Sequence, residues 1–342
     1  MLRPILLSVT AAITLAAAAP ARAADVVHVG ITGAATDLPL FLAEKKGYFA
    51  KEGLSADLVR FDSGAKMVAP LGHGELQAGA GATSAGLYNA LLQGIAIKIV
   101  ADKATITKDS AYKGLIVRKA LIDSGQFKSL ADLKGRKVAI TAPGAADNSV
   151  INEAAKKGGL TIKDIDRTYL GFAAQITALA NGGIDAAIGA EPDITIGARQ
   201  GVAVMFAPIP SFYPRGVETS AVLLYGGDFI KQRPVAVKFL KGYLQAVRDY
   251  DAAIKNGKLA GPGADEIIKA MMEMTKSDDP QLFRDMTAFW CNPDGKPDTA
   301  SLEKDLAYFK EFEGVKGNIT VAQATDTSLL DTALKELGPA KK

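Results

Sequence analysis

The sequence predicts an α/β protein built as two similar lobes facing each other across a cleft, and two internal echoes carry the prediction. Residues 179–191 read LANGGIDAAIGAE and residues 71–83 read LGHGELQAGAGAT; Leu, Gly, Ala, Gly and Ala fall at matching places without a gap, 108 positions apart. Residues 138–141, VAIT, match residues 29–32, VGIT, at a spacing of 109, and each run is followed, after a small insertion in one copy, by Gly, Ala, Ala and then an Asp. A repeat of this period is too long for a solenoid and has the size of a lobe. The third observation is that short β-branched runs alternate with helical patterns of about ten residues, which marks βα units on a mostly parallel sheet.

Taken in order, residues 26–31 alternate and are β-branched, so they read as a strand. Asp37 then stands where it would cap a helix whose apolar positions Leu38, Phe41, Leu42 and Phe49 recur at helical spacing, with Gly47 interrupting it. Residues 56–61 read as the second strand, 67–72 as a short helix despite Pro70, and 76–79 as a weak strand. Thr83 or Ser84 caps a helix ending at Gly94, and 95–100 is the next strand. Residues 115–118 lead into the second lobe, where Ser129 to Asp132 has capping-box spacing before the strand 137–140. Asp147 or Asn148 caps a helix running to Lys157. A strand at 167–170, a helix at 173–181, a strand at 185–188, a helix at 192–200 and a strand at 202–206 complete that lobe. Residues 221–225 form a returning strand, followed by a long amphipathic helix over 234–256 and further helices near 265–275, 302–312 and 329–337. The implied division is 24–114 for the first part of lobe I, 115–217 for lobe II and 218–342 for the rest of lobe I, with a frayed end at 338–342. Two crossings between lobes make a connection suited to hinge closure.

Composition narrows the setting. Residues 1–23 join a basic start, an apolar run over 5–19 and the small-residue pattern Ala21, Arg22, Ala23, which predicts a signal peptide cleaved after Ala23. The apolar run is too short for a membrane span. Removal of Arg3 and Arg22 brings the formal charge from +3 to +1, which gives no reason to expect nucleic acid or an anionic membrane as partner. The lone Cys291 excludes a disulfide framework and reads, beside Trp290, as a buried small hydrophobe. A soluble, exported, periplasmic chain follows.

Several runs together resemble one known group. PLFLAEKKGYFAKEGLSADLV from Pro39, DLKGRKVAI from Asp132, GGIDAAIGAEP from Gly182 and DTALKELG from Asp331 are similar, in order and over nearly the whole mature chain, to the periplasmic solute-binding proteins of ABC importers that serve nitrate, sulfonates, taurine and thiamine precursors. The resemblance implies a type II periplasmic binding protein fold with a two-stranded hinge and capture of a small-molecule ligand between closing lobes. It further implies delivery to a membrane permease driven by a separate ATPase; the chain itself has no Walker A sequence. A monomer with no catalysis, no cofactor and no metal is the expectation.

In open α/β sheets ligands lie beyond the carboxyl ends of the strands, so the loops after each strand are the candidate walls. The ligand set drawn from them is Thr32, Asp37, Leu38, Ser63, Thr83, Ser84, Thr141, Ala145, Asn148, Glu191, Tyr213 and Arg215. Helix starts at Ser84 and Asn148 would turn backbone N–H groups toward a carboxylate, sulfonate or nitrate; plain capping is the alternative for each. Glu191 takes the place that Thr83 holds in the other lobe, just before Pro192 at a helix start, where it either favours the helix dipole or meets a ligand amine. A zwitterion such as taurine would satisfy both kinds of group. Tyr213 either covers the apolar part of a ligand or fills the seam between lobes, and Arg215 either neutralises an anion or lies exposed.

Other functions fit less well. GAGATSAG, residues 79–86, with Asp102 at the end of the next strand, approximates a dinucleotide fingerprint, but Ser84 replaces the third glycine and the other lobe has no such run. ATSAG, residues 82–86, approximates a nucleophile elbow, yet both histidines, His28 and His73, precede Ser84, the wrong order for that fold. Two histidines and one cysteine support no zinc or iron site. A thiamine-pyrimidine synthase of the same group would need a cysteine-rich stretch that is lacking.

Overall fold

The computed structural model describes residues 24–340, so the expected signal peptide lies outside the described residues. The strands sort into two five-stranded sheets. The first third of the chain supplies β1 (Asp25–Ile31), β2 (Leu54–Arg60), β3 (Ala78–Gly81) and β4 (Ile97–Ile106). The next stretch supplies β5 (Lys113–Arg118), β6 (Lys137–Ile140), β7 (Asp166–Tyr169), β8 (Ala186–Ala190) and β9 (Ala203–Pro208), and β10 (Glu218–Gly226) returns to the first sheet. The orders are β2-β1-β3-β10-β4 and β7-β6-β8-β5-β9. In each sheet the one antiparallel strand is the one contributed by a crossing: β10 lies between β3 and β4, and β5 between β8 and β9.

The two echoes of the sequence are duplicated structure down to the register. Val29 pairs with Leu58 on one side and Ala78 on the other; Val138 pairs with Arg167 and Ala186. β3 and β8, the strands inside the longer echo, are buried along their whole length and consist of Ala and Gly with one Ile. Strands covered on both faces need apolar side chains throughout, and small ones let the flanking segments come close. A Cβ at Gly81 would sit 2.6 Å from the Gly64 Cα, and one at Gly64 would sit 2.4 Å from the Ala82 carbonyl oxygen. These glycines permit a backbone crossing that forms one wall of the cleft.

The C-terminal helices pack on the first sheet. The helix Arg233–Ala252 buries Phe239, Leu240, Tyr243, Val247 and Tyr250 along one face, and Phe239 stacks on Phe49 with ring centroids 4.6 Å apart. It stops four residues short of the expected end because Asn256 and Gly257 take positive φ values of 53° and 69°, turning the chain into a two-stranded ribbon. β3 and β4 each begin two residues later than the hydrophobic pattern suggests. No helix of the described residues is long and apolar enough to cross a membrane.

Candidate ligand-binding site

A cavity lies where the carboxyl ends of β1, β3, β6 and β8 face each other, enclosing about 430 Å³ of space that is partly open to solvent. Its walls are Thr32, Ala34, Thr36 and 62–64 with Gly81 and Ala82 from one lobe, Thr141, Asp147, Phe172 and Ala190 from the other, and Lys103, Tyr112, Lys113, Ser220 and Ala221 from the strands at the crossings. The enclosed part of that space is only about 40 Å³, well below the roughly 300–1,000 Å³ of small-molecule pockets.

Two buried ion pairs set its electrostatics. Lys103 on β4 and Asp37 are 1% and 0% exposed at the side chain and meet at 2.5 Å, and the same ammonium reaches the Ala80 carbonyl at 3.2 Å. Asp37 Oδ2 also accepts from the Thr32 and Gly33 backbone N–H groups at 3.1 and 2.6 Å. Lys113 at the start of β5 meets Asp147 at 2.8 Å, and Asp147 Oδ2 accepts from the Thr141 hydroxyl at 2.9 Å. Thr32 with Asp37 and Thr141 with Asp147 are the matched residues of the shorter echo, so the duplication has kept a threonine–aspartate pair at the mouth of each lobe. Lys113 Nζ stands 5.4 Å from the Phe172 ring centroid, while the Tyr112 hydroxyl bonds Ser220. The Ser63 hydroxyl, also on the wall, is buried with no partner.

Of the residues read from the sequence, Thr32, Ser63 and Thr141 line the cavity. Asp37 lies directly behind it, holding Lys103; it makes no side-chain cap to the helix Leu38–Lys45, because its oxygens are already taken by the 32–33 backbone and the ammonium. Leu38 is fully buried in the core and is not among the lining residues. Ser84 accepts from the Leu87 N–H at 3.1 Å and so caps its helix. Asn148 is within the helix Asp147–Lys157 rather than at its cap; its amide donates to the Ala142 and Ala145 carbonyls, and its oxygen accepts from Arg167 at 2.7 Å.

Thr83, Ser84 and Ala145 mark the seam where the lobes touch. Ala85 N–H donates to the Gly144 carbonyl at 2.9 Å and Ala146 N–H to the Thr83 carbonyl at 3.2 Å. Further along, Arg167 of β7 pairs with Glu313 at 3.0 Å, and Arg199 reaches Asp279 and Asp285. Glu191 belongs to this seam and not to the cavity wall. Its oxygens accept from the Thr195 N–H and hydroxyl, both at 3.0 Å, and from the Thr287 N–H of the other lobe at 3.1 Å. Burial raises its carboxyl pKa, and those hydrogen bonds pull it back down in part. Tyr213 is buried in the seam beneath Lys304, and Arg215 forms an exposed pair with Asp298 at 2.9 Å.

The sequence reading did not select Thr36, Lys103, Tyr112, Lys113, Asp147 as a ligand group, Phe172 or Ser220. One signal was available for Lys103: Asp102 and Lys103 lie in the middle of the mostly apolar strand IKIVADKATI, and charges in such a strand need buried partners. The residues of the nucleophile-elbow and dinucleotide motifs are engaged elsewhere. Ser84 Oγ is occupied as a cap, His28 pairs with Asp57 on an exposed strand at 2.9 Å, and His73 is exposed. Asp102 is fully buried, accepting from Thr105 and the Asn292 N–H, and burial pushes its carboxyl up to about 7.

Residues 35–256, more than half of the chain, match the family described as NMT1/THI5 like. The chain belongs to that family. Among curated relatives, a putative binding protein of Brucella abortus is 27% identical over 213 residues, 62% of this chain and 62% of its own length. The 4-amino-5-hydroxymethyl-2-methylpyrimidine phosphate synthase of Aspergillus parasiticus is 30% identical over 159 residues, 45% of this chain and 42% of that one. The aligned part thus spans less than two thirds of each. Among solved structures, the nitrate-binding protein NrtA of Synechocystis PCC 6803 shares the fold with a TM-score of 0.73 at 15% identity, covering 92% of this chain and 89% of its own. The aliphatic sulphonate binding protein SsuA of Escherichia coli does so at 0.65 and 18%, covering 90% and 99%. The two-sheet architecture is that of type II periplasmic binding proteins.

Proposed function

We propose that this protein is the solute-capturing component of an ABC importer, exported to the periplasm, which closes its lobes on a small organic oxyanion and presents it to a permease whose ATPase is a separate chain. One observation carries the ligand class. Lys103 and Lys113, one on each side of the first crossing, bring their ammonium groups to the same cavity. An ammonium has three donors; Lys103 is ion-paired with Asp37 and commits one donor to the Ala80 carbonyl, and Lys113 commits one to Asp147. The remaining donors, with the unpartnered Ser63 hydroxyl and Thr36, present N–H and O–H groups to an acceptor-rich head such as a sulfonate or carboxylate. Phe172 and Tyr112 offer an apolar surface to the rest of the molecule. The names of the sulphonate- and nitrate-binding structural neighbours support the same class, and a zwitterion such as taurine fits if its amine lies toward Asp147 or Asp62. Catalysis has no evident agent on the cavity wall, which includes neither histidine nor cysteine; Cys291 lies buried behind β4 with its thiol on the Lys103 carbonyl.

The crossings at 107–112 and 209–217 would serve as the hinge, and ligand bridging the lobes would shift the population toward the closed form. A thermal-shift panel of taurine, alkanesulfonates, nitrate, aromatic acids, a thiamine pyrimidine precursor and NAD tests the reading. A true ligand at about a hundred times its Kd adds about 2.7 kcal/mol of stability, and Lys113→Met should abolish that gain. Stabilisation by NAD alone, or an anion bound equally well by Lys113→Met, would sink the assignment.

A further inference from the structure

Where the second crossing meets the C-terminal helices, the seam buries two carboxylates against a single ammonium. Glu218 opens β10 and Asp305 lies on the helix Thr299–Phe312; they are 2% and 0% exposed. Lys304 Nζ stands 2.7 Å from Glu218 Oε1, 3.3 Å from Asp305 Oδ1 and 3.7 Å from the centroid of the Tyr213 ring. Neither oxygen of Asp305 receives an aligned hydrogen bond, and the Tyr213 hydroxyl has no partner. From the other lobe, Ser149 and Asp147 of the helix Asp147–Lys157 act on Asp305, and Asp147 and Glu153 act on Tyr213, while Tyr88 of the first lobe, its hydroxyl unpartnered, also feels the charge of Asp305. Lys113 of β5 acts on Glu218 from the cavity side, and Arg215 from the crossing. Both of those cations are already held elsewhere, Lys113 by Asp147 and Arg215 by Asp298. The cluster therefore has one negative charge in excess of its dedicated cation.

We propose that lobe closure binds one proton at the Glu218–Asp305 pair, so that capture of the solute is coupled to proton uptake. With the lobes apart, water reaches the seam and both carboxylates ionise. With the lobes shut, two like charges held to one ammonium in a buried site cannot both remain ionised, and the pair takes up a proton as a unit. Burial first, and then the charge of Asp305, push the Glu218 carboxyl from its ordinary 4.5 up to about 8, and burial raises Asp305 as well. The sign follows from a pKa that is higher closed than open. The advantage to the closed form is complete below the ordinary carboxylate value and is lost as pH rises through about 8. Between those limits an uptake of one proton weakens solute binding by about tenfold per pH unit.

The inference rests on the closing motion proposed above and not on which solute is bound, so its test uses none. Exposed cysteines introduced by Lys51→Cys and Lys163→Cys, one on each lobe, carry spin labels while the native Cys291 stays buried. The interlobe distance of the ligand-free protein should shorten as pH falls from 9 to 6, and Glu218→Gln should hold the short distance throughout. Asp305→Asn is read in the same way should the glutamine variant fold poorly. An interlobe distance that ignores pH in the wild type, or a variant that follows pH as the wild type does, would overturn proton-linked closure. Neither result bears on the ligand panel, whose failure would in turn leave these distances unchanged.

Discussion

The two lobes carry the same threonine–aspartate–lysine arrangement at their mouths but use it differently. In lobe I, Asp37 is anchored by two backbone N–H groups and pairs with a lysine that is 1% exposed; it fixes the loop after β1. In lobe II, Asp147 has the Thr141 hydroxyl in place of the backbone, and both Asp147 and Lys113 lie on the cavity wall. Duplication supplied one device twice; in lobe I the lysine reaches the cavity wall and its aspartate stays behind it, whereas in lobe II both residues reach the wall. The comparison predicts its own largest effect. Asp37→Asn leaves Lys103 buried and unpaired, which costs about 3–5 kcal/mol, read as a shifted urea midpoint. Asp147→Asn should cost about 1–3 kcal/mol while removing most solute affinity. Equal losses of stability in the two variants would show that the copies have not diverged.

That asymmetry was only half legible in the sequence. The echo already placed Asp37 against Asp147 and Thr32 against Thr141, and the strand pattern gave both sheets, because small and β-branched runs buried on two faces leave a clear trace. A carboxylate that caps a helix and one that receives a buried ammonium are indistinguishable in sequence, since both sit just before a helix, and the partner that decides between them arrives on a distant strand. Lys103 comes from the second half of β4, and Thr287, which holds Glu191 off the cavity wall, comes from another lobe altogether. Side-chain direction at a strand end is fixed by such partners, so the loops were readable and their facing residues were not.

The next effect separates the seam from the cavity. Because Glu191 joins the start of the helix Asp193–Arg199 to Thr287 across the seam, Glu191→Gln should weaken every bound solute by a similar factor, about fivefold where the charged acceptor is replaced by the neutral amide oxygen that glutamine keeps. A loss confined to amine-bearing solutes in calorimetry would instead put Glu191 at the ligand. Arg167→Ala releases Glu313, Tyr308 and Asn148 at the far edge of the seam. With its side chain 27% exposed, the pair is screened and contributes about 1 kcal/mol or less to closure, so affinity should fall by less than tenfold.

The smallest effect is expected at Arg215, the one cation that the sequence offered to an anion. Its side chain is 56% exposed, and it is held to Asp298, outside the cavity wall. Asp298 keeps the Ser301 hydroxyl at 2.7 Å when the arginine is removed, so Arg215→Ala should change neither melting temperature nor affinity at neutral pH. The consequence lies in acid. Burial alone would raise the Asp298 carboxyl, but Arg215 and Ser301 together hold it below the ordinary value of 3.8. A depressed carboxylate stabilises the fold above that value, and its contribution fades as pH falls through the depressed one. Losing Arg215 moves that fade upward, so the variant should unfold at a slightly higher pH than the wild type during acid titration. A tenfold loss of anion affinity at neutral pH would instead make Arg215 a cleft cation and would put a third charge beside the two lysines.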